Sequence, residues 1–179
     1  MIVRPPGLIE LRLNQASQLF NSMDPSPFHE RDLDHDAEEF IVSWAREVHD
    51  QHPFRLRIVL REPANPDVAR FVRDSIRHYF AYRAEQFGRE LRKMLREGRT
   101  ALFIGLGFLA ATLFLASLLK NSDATWAAFA REGLTICGWV GLWRPIEIHL
   151  YRWWPIRRDI VLHRRLSNAD VEVVFEERN

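Results

Sequence analysis

Apolar and polar residues alternate with period two in three short stretches. In 8–13, Ile9, Leu11 and Leu13 share a face opposite Glu10 and Arg12. Over 54–60, Phe54, Leu56, Ile58 and Leu60 oppose Arg55 and Arg57; in 171–176, Val171, Val173 and Phe175 oppose Glu172 and Glu176. Successive side chains of a strand point to opposite sides, so the pattern predicts three strands, apolar inside and charged outside. Between the first two the spacing turns helical, with Ala37, Phe40, Ile41, Trp44, Ala45 and Val48 on one face. A longer amphipathic helix is predicted over 66–97. Asn65 suits its N-cap, Pro66 fits the first helical position, and Val72, Ile76, Phe80, Phe87, Leu91 and Leu95 follow at helical spacing. Gly98 reads as a break or bend at its end.

From Ala101 to Leu119 the chain carries no charge. A spanning helix needs roughly 20 apolar residues, and this run meets that length. A second apolar stretch, about 133–151, predicts a return across the bilayer, with a re-entrant or interfacial segment as the competing reading. It holds Arg144 and Glu147, which at i,i+3 can pair and, being near one end, can snorkel toward water; Pro145 is placed to kink it. Ala101 with Gly105 and Gly107 with Ala111 on the first helix, and Gly133, Cys137 and Gly141 on the second, form small-residue stripes along which helices can approach, within the pair or between protomers.

Flanking charge sets the expected topology. Arg89, Arg92, Lys93, Arg96 and Arg99 precede the first span; Arg152, Arg157, Arg158, Arg164 and Arg165 follow the second; the connection carries only Lys120 and Arg131. Basic residues favour the cytoplasmic side, so both ends are expected there, with Trp126 at the outer interface and Trp153 and Trp154 at the inner one. A lone short strand is unstable. The C-terminal strand is therefore expected to join the N-terminal sheet, its Glu172 and Glu176 complementing Arg55 and Arg57. The expected architecture is a small cytosolic α/β (α+β) domain of about three strands and two main helices, interrupted by a two-helix transmembrane hairpin. Its parts are 1–99, then 100–151 with helices near 101–119 and 133–151, then 152–179 with the strand 171–176.

Composition narrows the chemistry. A net charge of +1 over 179 residues gives no electrostatic footprint for nucleic acid. The single cysteine, Cys137, forms no internal disulfide and reads as a small packing residue. The first residues carry no apolar signal region, so a cytosolic N-terminal part is expected. Between Asp24 and Asp36, Asp32, Asp34 and Asp36 alternate as in a calcium loop. Ala37 stands where the turn glycine is needed, however, and Ser43 where the bidentate ligand should be. The plainer reading is a proline-rich turn into a helix whose start is stabilised by Asp34, Asp36, Glu38 and Glu39. His29, Asp32, Asp34 and His35 are the weak candidates for a divalent metal. His49 and His52 lack further ligands nearby and suit a helix C-terminus. No nucleophile elbow or phosphate loop is visible, and no cofactor is expected. Arg92, Lys93, Arg96, Arg157 and Arg158 are candidates for lipid headgroup contact. Three functions fit: a non-enzymatic, membrane-anchored interaction or assembly protein of a bacterial inner membrane, with a protein partner or a second copy; a subunit of a small oligomeric channel or transporter using Arg144 and Glu147; and a membrane-bound metal-dependent enzyme using the 29–36 loop.

Overall fold

The computed structural model describes residues 7–21, 32–48, 53–121 and 124–176. In order these form β1 (Leu8–Leu13), a 3-10 turn (Ala16–Leu19), α1 (His35–Glu47), β2 (Arg55–Leu60) and α2 (Pro66–Leu118). A second 3-10 turn (Leu119–Asn121), α3 (Thr125–Val140), α4 (Trp143–Glu147), a π-helical turn (Ile148–Arg152), α5 (Trp153–Ser167) and β3 (Asp170–Phe175) complete the chain. Mixed α/β and dominated by helix, it divides into two compact units: Met1–Gln86 with Arg158–Asn179, and Phe87–Arg157.

The first unit is built on a three-stranded parallel sheet of order β1-β2-β3. Gly7, at φ 87, opens β1 in a conformation that side chains rarely adopt, and its carbonyl accepts the Arg55 amide at 2.9 Å. One face of the sheet is apolar. Ile9, Leu11, Leu56, Ile58, Leu60 and Val171 are buried in one core with Ile41 of α1, Val72, Ile76 and Phe80 of α2, and Leu166 of α5. Each fully buried residue of this size contributes about 1.5–3 kcal/mol relative to exposure. The other face is charged over most of its length and in register, with Val59 buried between Arg12 and Val174. Glu10 stands opposite Arg57 and Arg57 opposite Glu172; Arg57 Nε donates to Glu172 at 3.0 Å, and Arg61 lies 3.8 Å from Glu176. Arg55 lies opposite Asp170. The helix starts follow local chemistry: the Asp34 carboxylate accepts the Asp36 amide at 3.1 Å, and the Asn65 side chain accepts the Asp67 amide at 3.0 Å.

Two boundaries differ from the sequence expectation. The helix expected to end at 97 runs on without interruption to Leu118. Gly98 is no break, because it lies inside a packed contact: a Cβ there would stand 2.8 Å from Ile148 Cγ2 and 2.9 Å from His149 Cε1. The second membrane helix expected over 133–151 is not one helix. α3 starts at Thr125 and stops at Val140, where Gly141 and Leu142 turn before α4 and the π turn. Proline supplies the reason. Pro145 has no N–H to give the carbonyl of residue 141, and its ring crowds that carbonyl. Among the described residues one helix, α2 with the turn that continues it, is long and apolar enough to cross a membrane, and only 17% of its most apolar window is buried. A continuous two-helix membrane hairpin is not formed.

Candidate functional site

The second unit presents its apolar side chains outward. Phe103 is 75% exposed, and Ile104, Phe114 and Leu118 of α2 are also open. On the return segment Phe129, Trp139, Val140, Trp143 and Tyr151 are exposed, Phe129 at 73% and Trp143 at 71%. Those on α2 lie on the one helix among the described residues that is long and apolar enough to cross a membrane. Hydroxyl groups here are satisfied by their own helices: Thr112 donates to Leu109 O at 2.9 Å, Ser117 to Phe114 O at 2.6 Å and Thr135 to Arg131 O at 2.9 Å. Such internal bonding removes the cost of placing them away from water.

Much of what is buried in this unit lies along a narrow seam in which glycines and other small residues alternate with larger apolar ones. On α2 it follows Gly98, Leu102, Gly105, Leu109, Thr112 and Ala116, all buried or half-buried. Opposite run Leu134, Gly138, Gly141, Pro145 and Ile148. Both rows step alternately by four and three, which keeps one stripe of a helix facing its neighbour. A Cβ on Gly105 would meet Gly141 O at 2.9 Å; one on Gly141 would meet Phe108 Cδ1 at 2.7 Å; one on Gly138 would collide with Thr112 Oγ1 and Leu109 Cδ1.

Of the packing residues expected from sequence, Gly105 and Gly141 thus meet each other. A Cβ on Gly133 would have no neighbour within 4 Å, and Cys137 is exposed. Steps of exactly four advance 40° around a helix each time, so the stripe 133, 137, 141 leaves the seam while 134, 138, 141 stays on it. Gly138 was missed for that reason, and the four-three spacing was the signal that would have found it. Arg144 is exposed and Glu147 half-buried, and no ion pair joins them within 4.0 Å. Arg92, Lys93 and Arg96 are exposed on α2, and the Arg157 guanidinium lies 5.7 Å from the Trp153 ring centroid. Arg158, also exposed, belongs to the first unit.

The first unit holds a half-buried polar cluster that sequence reading did not single out. Tyr79 Oη donates to Glu38 at 2.7 Å, and Arg83 Nε donates to the other carboxylate oxygen of Glu38 at 2.9 Å. On α5, His163 is buried; its Nδ1 lies 2.7 Å from Asp159 O and its ring 5.9 Å from that of Phe80. Arg46 bonds the Asp159 carboxylate at 3.1 Å, joining α1 to α5. Burial first, then the bond to Glu38, raises the Tyr79 phenol; burial lowers His163 despite the Asp159 carbonyl. The phenol, held neutral against the Glu38 carboxylate, joins α2 to α1, and the imidazole on α5 packs against Phe80 of α2.

Of the metal candidates, His29 lies outside the described residues, as do His49 and His52. Asp34 is occupied as the cap of α1, and Asp32 and His35 flank it. Among the described residues no three His, Cys, Asp or Glu side chains converge to hold an ion. Among the described residues the surface has several open concavities. One of about 330 Å³ lies by Phe54, Val161, Arg164 and Arg165, with the Arg165 guanidinium 4.4 Å over the Phe54 ring.

No family model, no curated protein and no solved structure matches this chain.

Proposed function

We propose that the chain is a membrane-anchored interaction or assembly protein of a bacterial inner membrane, without catalysis of its own. The first unit engages a protein partner or a second copy, and the second fixes it in the bilayer. In this reading the apolar half of α2 crosses, and the segment from α3 through the π turn returns. One observation carries the reading: β2 and β3, which precede and follow the apolar region, pair in one sheet from Arg55↔Asp170 to Leu60↔Phe175. A crossing at α2 therefore has to be undone before Asp170, so that the number of crossings is even. The exposed apolar surface of the second unit supports burial in hydrocarbon, since the alternative leaves Phe103, Phe129 and Trp143 in water.

The test is fractionation followed by native mass measurement of the full chain. It should stay with the membrane through an alkaline carbonate wash. Extracted gently in detergent, it should form a particle heavier than the 21.1 kDa protomer by a second copy or a stoichiometric partner. Release by carbonate defeats the anchor; a bare protomer defeats the assembly role.

A further inference from the structure

We infer that the basic band at one end of the second unit's apolar surface is a binding surface for anionic phospholipid headgroups, distinct from a general affinity for bilayer. The inference rests on the membrane reading above and adds to it a chemical class of lipid.

The band has two sides, brought to one level by glycine. Arg92, Arg96 and Arg99 follow at i, i+4 and i+7 on α2 and form one exposed row. Gly98, next to Arg99, lets α2 close on Ile148 and His149 with no room for a Cβ. The π turn begins at this contact and carries exposed Arg152, followed by Trp153 and, one turn on, exposed Arg157. A π turn moves amide donors to i→i+5 spacing. Here the His149 carbonyl accepts the Trp153 indole N–H at 2.8 Å. That bond fixes the ring over which the Arg157 guanidinium sits. The turn thus builds an oriented indole beside cations, at the margin of an uncharged run from Thr100 to Leu119. Tryptophan and arginine in that setting suit the plane where acyl chains meet phosphates.

Charge decides the class of lipid. Glu90, Glu97 and Glu147 lie within a turn or so of these cations in sequence. Yet among the described residues none of Arg92, Arg96, Arg99 or Arg152 has a carboxylate within 4.0 Å. Cationic side chains left unneutralised by the protein attract phosphate oxygens through their charge. Zwitterionic lipid offers a phosphate with its own ammonium attached; phosphatidylglycerol offers the phosphate alone. The band favours the second, by roughly fivefold for each cation engaged.

Lipid retention by the full chain in detergent, read by native mass spectrometry, tests this. Phosphatidylglycerol and phosphatidylcholine of identical acyl chains are titrated separately. At least a tenfold preference for phosphatidylglycerol is expected. It should be lost in the triple variant Arg96→Gln, Arg99→Gln, Arg152→Gln and largely kept in the corresponding triple lysine variant. Millimolar inorganic phosphate should not displace the lipid. Equal retention of both lipids, or a preference surviving the glutamine variant, overturns the inference, and displacement by phosphate reduces the band to a free-anion surface. Carbonate extraction from phosphatidylcholine vesicles runs alongside. A chain that stays inserted there without lipid preference keeps the anchor and loses the headgroup surface; a chain washed out loses the anchor itself.

Discussion

His163 sits 2% exposed between Phe80 and the polar cluster of Glu38 and Arg83, with its Nδ1 on the Asp159 carbonyl. Burial is the first cause lowering its affinity for a proton, and the Arg83 charge acts the same way, against Asp159 and Glu38. The sign follows from linkage. Below the ordinary value of 6.5 the unfolded chain takes up a proton that the folded chain refuses, so stability present above 6.5 is lost as pH falls. One such proton costs at most about 1.4 kcal/mol per pH unit. Hydrogen-exchange protection of the β2 amides, followed from pH 7.5 to 5, should therefore fall more steeply in the native chain than in His163→Gln. Equal slopes would show that the imidazole stays unburied or already charged. At this scale the helix caps were legible, because Asp34 and Asn65 act on amides two residues away. The Glu38–Tyr79–Arg83 cluster was not, because its members come together only through packing between α1 and α2.

Elements were legible where solvent leaves a mark. Parallel strands buried on both faces read as unbroken apolar runs. Here the second face carries Glu10, Arg57 and Glu172 across it, and the alternation survives in β1 and in the first halves of β2 and β3, but it is lost where Val59 is buried on that face beside Val174. Their parallel direction carries no such mark. In the second unit many large apolar residues lie outside and four glycines, Gly98, Gly105, Gly138 and Gly141, lie in the seam, so hydrophobicity marks the region while saying little of the seam. Gly133 and Gly138 separate the two cases. Leucine at 138 must displace Thr112 and Leu109, an overpacking cost of about 1–3 kcal/mol; leucine at 133 meets open space. In detergent, Gly138→Leu should melt several degrees below the native chain and Gly133→Leu within a degree or two of it. Comparable losses in both would mean that the seam lies elsewhere.

For the whole molecule, the sheet and the apolar region constrain each other. β3 is bound to β2 by register and by the Arg57–Glu172 bond, and to α2 by the Arg73 guanidinium, which donates to Val171 O at 3.1 Å. Neither half of the first unit completes its core without the other, since Leu166 and Val171 come from beyond the apolar region and Leu56 and Ile76 from before it. An odd number of crossings would strand them in separate compartments. The charge distribution suits the proposed topology: the basic residues crowd at 89–99 and 152–165, and Lys120 and Arg131 alone lie between the apolar runs. With Cys137→Ser as background, Ser122→Cys should react with a membrane-impermeant maleimide on intact cells, and Asn168→Cys only after lysis. Reaction at 168 alone would invert the orientation and keep the even count. Reaction at both sites would leave β3 on the outer side together with the connection, which requires the first unit either to face outward whole or to lose the β2–β3 pairing. Protection of the β2 amides from exchange in the same membranes tells these apart, because a β2 stripped of β3 exchanges within the time that a paired one resists.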